Sequence, residues 1–184
     1  MESTKKMIVT GMFAAVIAIL AQISIPLPSG VPVTLQTFAV ALTGVVLGAK
    51  LGTASTFVYI LLGAVGVPVF AGLKGGLGVL AGKTGGFIWG FLFLALLCGL
   101  GASMKKTIGW LPGMLGLILC HVPGVVQFSV LSGMGIAESA LLVSVPYLIK
   151  DICSVALAYV LGIQVKKQLY RASFLTIPDV GKNI

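Results

Sequence analysis

Most of this chain consists of long apolar stretches that carry almost no charge. A helix needs roughly 20 apolar residues to cross about 30 Å of hydrocarbon, and stretches near that length follow one another along the sequence. Of the 184 residues, 58% are hydrophobic and 9% are charged, whereas ordinary soluble domains are about 25% charged. A soluble domain of this size cannot bury so much apolar surface. The sequence therefore predicts an all-α polytopic membrane protein.

Six membrane-spanning helices fit the pattern, in a single integral-membrane domain that covers residues 1–184. The predicted spans are residues 7–25, 34–49, 52–66, 84–104, 108–130 and 138–166. The second and third are short for a crossing, which leaves open whether they are tilted, broken or shielded by neighbouring helices. The first is interpreted as a retained helix, because its apolar core is longer than the 7–15 residues that are usual in a signal peptide.

The positive charges predict which side of the membrane each loop occupies, since cytoplasmic loops are enriched in Lys and Arg. With the N-terminus in the cytoplasm, most of the 12 cations fall on that side. They are Lys5, Lys6, Lys50, Lys105, Lys106, Lys166, Lys167, Arg171 and Lys182. Lys74 and Lys83 fall outside, and Lys150 lies within the last span. Both termini are therefore predicted to be cytoplasmic. Nucleic-acid binding is not expected, because the cations do not form one basic face.

Two outer loops differ from ordinary connections. Residues 26–33 carry three prolines in eight residues, and residues 67–82 are rich in glycine. Irregular backbone at membrane depth is tolerated only where it is buried in protein or lines a cavity. We expect both loops to form the lid or wall of an outward-facing cavity, the alternative being flexible surface loops.

The last predicted span contains the adjacent charges Lys150 and Asp151, about 13 residues after Glu138 and about 15 before Lys166. At 1.5 Å per residue they lie roughly 20 Å from each end of the span. Ionisable residues at that depth are rare and mark functional sites. Neighbours on a helix point about 100° apart, so the two charges are not expected to pair ideally. One of them is then expected to meet a ligand or another helix, the alternative being a pair buried for packing alone.

The remaining polar residues offer little for catalysis. No nucleophile–base pair or pair of catalytic carboxylates is present, so an enzyme is not expected. His121 and Gln127 are expected to form hydrogen bonds within the helix bundle. The three cysteines are interpreted as small buried residues and not as metal ligands; they are Cys98, Cys120 and Cys153.

Three stretches together resemble the BioY family, the biotin-specific substrate-capture (S) components of energy-coupling-factor (ECF) transporters. They are GVPVTLQTFAVAL at 30–42, GKTGGFIWGF at 82–91 and PYLIKD at 146–151. Many relatives have proline where this chain has Lys83. Many also have a lysine three residues after the last-helix aspartate, whereas here Lys150 precedes Asp151 and Ser154 follows it.

The resemblance implies a six-helix protein of the bacterial plasma membrane that binds biotin from outside, with no cofactor of its own. Transport would require a membrane-embedded coupling (T) protein and two cytoplasmic ATPases. Asp151 would accept hydrogen bonds from the ureido N–H groups, and Lys150, Gln36 or Thr34 would bind the carbonyl or carboxylate. The other candidate ligand-binding residues are Trp89, Phe87, Thr84, Gly85 and Tyr147. The T protein would dock on small residues of the first helix, namely Ala14 and Ala18 with Gly11 and Ala15 beside them.

Two alternatives remain open at this level. The alternatives to a biotin S component are a capture subunit for a different vitamin and a small proton-coupled carrier or channel in which Asp151 titrates.

Overall fold

A computed structural model describes residues 2–105 and 107–172, so Lys106 and Lys182 lie outside the described residues. The elements are α1 (Glu2–Ala21), β1 (Ser24–Ile25), β2 (Val33–Thr34), α2 (Gln36–Ala64), α3 (Leu77–Ala81), α4 (Gly85–Gly101), α5 (Trp110–Ser132), α6 (Ile136–Val143) and α7 (Val145–Arg171). Within these residues, four helices are long and apolar enough to cross a membrane, and α4 is a shorter apolar helix. The four are Ser3–Ala21, Gln36–Ala64, Trp110–Ser132 and Val145–Arg171.

The helix α2 consists of two arms that fold back on each other at Gly48. This residue has φ 79° and ψ 174°, a conformation that glycine adopts at little cost because it lacks a Cβ. Gln36 Nε2 lies 2.7 Å from the Tyr59 hydroxyl oxygen, although a straight helix would separate these residues by about 34 Å. The helices predicted at 34–49 and 52–66 are therefore both present, joined by this reversal.

The first arm of α2, residues 36–47, is shielded by protein. Nearly all of its side chains are buried, and a Cβ added at Gly44 would lie 2.4 Å from the Ala95 carbonyl oxygen of α4. On the other side, Val45 packs against Gly162 of α7. Of the three explanations left open for the short helices, shielding by neighbours is the one found for this arm.

Helices α4 and α5 approach so closely that their contact requires glycine. A Cβ at Gly90 would lie 2.6 Å from the Cys120 Cα, and one at Gly86 would lie 2.1 Å from the Pro123 carbonyl oxygen. Small residues let helix backbones pack closely in a membrane, where water supplies no hydrophobic driving force between helices. This contact fixes the wall of the cavity described below.

The outer faces of the helices present large apolar side chains, as lipid requires. Ile149 is 77% exposed and Val130 is 76% exposed. Cys98 and Cys120 are buried as predicted, but Cys153 is exposed. It lies on the outer face of α7, two residues beyond the buried Asp151, so the prediction that all three cysteines are buried was wrong.

The predicted last span, 138–166, is broken. Helix α6 ends at Val143, and Ser144 has φ −122° and ψ −59° between α6 and α7. Pro146 lies in the first turn of α7, where its missing N–H costs no helical hydrogen bond. Asp151 therefore lies in the second turn of α7 and not in the middle of a long helix. The residue count used above to estimate its depth does not apply.

Candidate ligand-binding site

An open cavity lies among the helices, with about 710 Å³ of empty space including its mouth. Both predicted wall loops contribute to it, together with α2, α4, α5 and α7. The lining residues are Val31, Pro32, Thr34, Gln36, Thr37, Phe70, Ala71, Lys74, Val79, Thr84, Phe87, Ile88, Phe91, Cys120, His121, Val143, Tyr147, Lys150 and Asp151.

A buried carboxylate forms the polar centre of this cavity. Asp151 is 4% exposed, its Oδ1 contacts the Lys150 ammonium, and its Oδ2 lies 3.3 Å from His121 Nε2. Thr37 of α2 lines the same cavity. Lys150 and Asp151 are in contact although they are adjacent on the helix, because the flexible lysine stem bends across the angle between them. Asp151 also reaches His121 of α5, so the expectation that one of the two charges would meet another helix is confirmed.

His121 connects this carboxylate to the break between α6 and α7. Its Nδ1 lies 2.8 Å from the Ser144 hydroxyl oxygen. A neutral ring that donates from Nε2 to Asp151 can accept from Ser144 at Nδ1. The predicted hydrogen bonding of His121 within the bundle is confirmed, but its position in the cavity beside Asp151 was missed. The available signal was that His121 is the single histidine of the chain, placed in an otherwise apolar helix.

Helix α7 also holds the proline-rich loop in place. Strands β1 and β2 close this loop as an antiparallel ribbon that pairs Ser24 with Thr34. The Lys150 ammonium donates to the Thr34 carbonyl at 2.9 Å, and the Tyr147 hydroxyl donates to the Val31 carbonyl at 2.5 Å. The loop is thus a cavity wall whose anchors are lining residues of the same cavity.

A second polar chain orients Gln36 at the start of α2. The Thr34 hydroxyl donates to Gln36 Oε1 at 3.1 Å, and Gln36 Nε2 donates to the Tyr59 hydroxyl at 2.7 Å. Because both ends of its amide are engaged, the side chain of Gln36 has a defined orientation in the wall. Gln36 and Thr34 therefore both lie where the sequence predicted, at the cavity.

The glycine-rich loop is held by residues outside the cavity lining. Gln22, just after α1, donates through Nε2 to the Val69 carbonyl at 3.1 Å and accepts from the Leu73 N–H at 2.9 Å. Gln127 of α5 donates to the Leu80 and Gly82 carbonyls at 2.9 and 2.8 Å. Gln127 is therefore hydrogen-bonded as predicted, but its partners are carbonyls of the glycine-rich loop and not of the long helices.

The apolar wall uses one face of α4. Thr84, Phe87, Ile88 and Phe91 line the cavity, at the spacing expected of a single helical face. Phe87 also packs edge-on against the His121 ring, with centroids 5.6 Å apart.

Two residues of the same segment, predicted to bind ligand, do not line the described cavity. Trp89 is 42% exposed on the opposite face, about 200° around the helix from Phe87. Gly85 is packed behind the wall, where an added Cβ would lie 1.7 Å from the Leu80 carbonyl oxygen. These two predictions are corrected: Gly85 has a packing role, and Trp89 faces outward.

The small residues of α1 divide between two faces. Ala14 is 1% exposed and belongs to the protein's own core, and Ala18 is half-buried against that core. Gly11 and Ala15 are exposed, and a Cβ at Gly11 would meet no atom within 4 Å. The surface of α1 that a partner can reach therefore carries Gly11 and Ala15, whereas Ala14 faces inward.

Comparison with known proteins agrees with this architecture. The BioY family model matches residues 1–171. The biotin transporter BioY of Thermotoga maritima is 40% identical over 167 residues, which cover 89% of this chain and 96% of that protein. The probable biotin transporter BioY of Pyrococcus horikoshii is 35% identical over 158 residues, covering 86% and 94%.

A solved structure has the same fold. It is a crystal structure of the S-component for biotin from an ECF-type ABC transporter, with a TM-score of 0.79 and 27% identity over 90% of this chain and 93% of that one. The family match extends over almost every described residue, including all those that line the cavity. The chain therefore belongs to the BioY family.

Proposed function

We propose that this protein is the biotin-binding S component of an ECF-type transporter and that it captures biotin from the outer side of a bacterial plasma membrane. One observation carries the proposal: a carboxylate, Asp151, is buried at the wall of an open, largely apolar cavity. Membership of the BioY family and the likeness to a biotin S-component support it.

The chemistry of the cavity suits the two ends of biotin. An ionised carboxylate offers about four acceptor positions, and in Asp151 the contacts from Lys150 and His121 use two of them. The ureido ring of biotin has two N–H donors that can use the rest. Phe87, Phe91 and Tyr147 supply apolar surface for the thiophane ring and the aliphatic chain.

We propose that six segments cross the membrane, with both termini in the cytoplasm. The two arms of α2, folded back at Gly48, count as two segments, and α1, α4, α5 and α7 supply the other four. The excess of Lys and Arg on one side of this arrangement supports the orientation.

Transport would then depend on a T protein and two ATPases, and the exposed face of α1 around Gly11 and Ala15 is the proposed docking surface. The chain itself would not be an enzyme and would use no cofactor, with biotin as its transported ligand. A surface of small residues on a lipid-facing helix supports close docking of another membrane helix.

The experiment is calorimetry with biotin on the detergent-purified protein and on Asp151→Asn. We expect tight binding by the parent protein and a loss of at least about a hundredfold in the variant, because the buried charged acceptor proposed for the ureido N–H groups is replaced by a neutral amide. The matched control is Glu138→Gln, at an exposed position of α6, which should bind as tightly as the parent. Full affinity in Asp151→Asn would contradict the site.

The same preparation separates the two alternatives. Binding of thiamine or riboflavin in preference to biotin would identify a capture subunit for another vitamin. If proteoliposomes without any ATPase took up biotin, and if this uptake depended on a proton gradient, the protein would be a proton-coupled carrier.

A further inference from the structure

We infer that Lys74 binds the carboxylate of the ligand and thereby selects anionic ligands for this cavity. The inference rests on the proposed function, since it concerns the same cavity. Lys74 lies in the glycine-rich loop and lines the cavity, but its side chain is exposed. It therefore occupies the solvent-facing part of a site whose polar centre, Asp151, is buried.

The charges of the lining residues leave Lys74 as the available cation. Three lining side chains carry a full charge, namely Lys74, Lys150 and Asp151. Lys150 contacts Asp151 and also donates to the Thr34 carbonyl, so its charge is compensated and its donors are partly used. Among the residues that the structure describes, no acidic side chain forms an ion pair with Lys74.

The backbone that carries Lys74 is fixed. Phe70 and Lys74 exchange backbone hydrogen bonds at 2.9 and 3.2 Å across a tight turn. Val69, just before this turn, and Leu73, within it, are both hydrogen-bonded to the side chain of Gln22. Phe70 at the base of the turn is 1% exposed and packs edge-on against Tyr59. The lysine stem is flexible, but its Cα has a defined position at the cavity.

Desolvation decides which end of the ligand meets Lys74. Burial of an anion is costly unless it is paired, whereas an uncharged ring with donors is stabilised by a buried acceptor. Biotin combines both groups, a neutral ureido ring and a carboxylate separated by an aliphatic chain. The ring therefore goes to Asp151, and the carboxylate stays in the partly hydrated region where Lys74 supplies the counter-charge.

The test measures two ligands against three proteins by calorimetry at low ionic strength. The ligands are biotin and biotin amide, which lacks the charge but keeps the ring and chain. The proteins are the parent, Lys74→Gln and Lys83→Gln. Lys83 is the matched control, because it is an exposed lysine close by in the chain that lies outside the cavity lining, with its Nζ 5.7 Å from the centroid of the Phe128 ring.

We expect Lys74→Gln to bind biotin about tenfold more weakly and biotin amide as well as the parent does, since only the charge-assisted contact is lost. The deficit should shrink as salt is added, because interactions between exposed charges are screened. Lys83→Gln should match the parent with both ligands.

The outcomes separate the inference from the proposed function. Tight biotin binding that is equal in the parent and in Lys74→Gln would overturn the role of Lys74 and leave the proposed function intact. An equal loss for biotin and biotin amide would also overturn it, since it would mean that the lysine acts on loop structure. Absence of biotin binding by the parent would overturn both.

Discussion

The two loops that wall the cavity are held in opposite ways. The proline-rich loop, residues 26–33, is anchored by Lys150 and Tyr147, which line the cavity themselves. The glycine-rich loop, residues 67–82, is anchored by side chains outside the lining, of which Gln22 holds the turn around Lys74.

This difference indicates which of the two loops is expected to be affected when a ligand binds in the cavity. A ligand that engages Lys150 shares the ammonium group with the Thr34 carbonyl, so we expect binding to affect the anchorage of the proline-rich loop. The anchors of the glycine-rich loop make no contact with the cavity, so that loop remains a fixed wall. The predictions below test this asymmetry, in order of expected effect.

The largest effect is expected from Lys150→Met. The change removes the anchor of the proline-rich loop and leaves the buried Asp151 carboxylate without its cation, and breaking a buried pair typically costs 3–5 kcal/mol. Because the Lys150 side chain is 29% exposed, we expect the lower end, about 3 kcal/mol. Thermal unfolding in detergent measures the loss of stability, and calorimetry should show strongly weakened biotin binding.

Lys167→Met is the control for that variant, since Lys167 is an exposed lysine of the same helix. It should unfold at the parent temperature. If both methionine variants were equally stable, the ion pair would contribute nothing to the fold, and the proposed difference between the loops would lose its main support.

The glycine-rich loop should be broken sterically by Gly75→Ala. An added Cβ would lie 2.5 Å from the Val67 carbonyl oxygen and 2.8 Å from the Gly66 carbonyl oxygen, and backbone cannot move aside as a side chain can. Overpacking of this kind costs about 1–3 kcal/mol, so we expect a loss near 2 kcal/mol in the same unfolding assay.

Gly78→Ala is the matched substitution in the same loop. It lies in the short helix α3, and its Cβ would meet no atom within 4 Å, so the change should be neutral or slightly stabilising, since alanine favours helix. Equal destabilisation by the two alanines would mean that the packing of Gly75 is not what fixes this wall.

A smaller effect is expected from Gln22→Ala, which removes two hydrogen bonds to the turn that carries Lys74. At about 0.5–1.5 kcal/mol for each bond, two bonds contribute about 1–3 kcal/mol. Because the bond to the Leu73 N–H is exposed, we expect a loss of stability in the lower part of that range, about 1–2 kcal/mol. Hydrogen exchange at the Leu73 amide should accelerate in this variant, while the amides of the proline-rich loop should be unaffected. Faster exchange in both loops would show that the two walls are not independently anchored.

The smallest effect is expected from Tyr147→Phe. The variant keeps the apolar ring in the cavity and removes only the hydroxyl that donates to the Val31 carbonyl, for a cost of about 1 kcal/mol. Exchange should now accelerate in the proline-rich loop alone. Tyr170→Phe, near the end of α7, provides the comparison and should leave that loop unchanged.

The sequence predicted the fold best where the signal was local. The lengths of the apolar stretches predicted two separate helices within residues 34–66, with a break near Lys50. In the structure the chain reverses at Gly48, two residues before Lys50. The division between α6 and α7 was missed, because Ser144 has no side-chain signature of a helix break and Pro146 is equally compatible with a bend. Only packing against α5, where Ser144 meets His121, distinguishes the two.

The candidate site was likewise predicted only where the signal lay in the local sequence. Asp151 was recognised because a charged residue within an apolar stretch is evident from the sequence alone. The exclusion of Trp89 could not be predicted, because spacing gives the angle between residues on a helix but not which face turns inward. Nor could the pairing of Lys150 with Asp151, since a long side chain can cross the angle between helical neighbours.

By itself the sequence determined that the chain is helical and suited to lipid, where its helices reverse and which carboxylate is buried. These properties follow from the length of apolar runs and from the free energy of burying a charge, both of which are set locally. Tertiary structure alone decided that His121 meets Asp151, that Ala14 faces the core and that Lys74 lines the cavity. Each of those facts depends on contacts between segments far apart in the chain, and such contacts cannot be inferred from local patterns in the sequence.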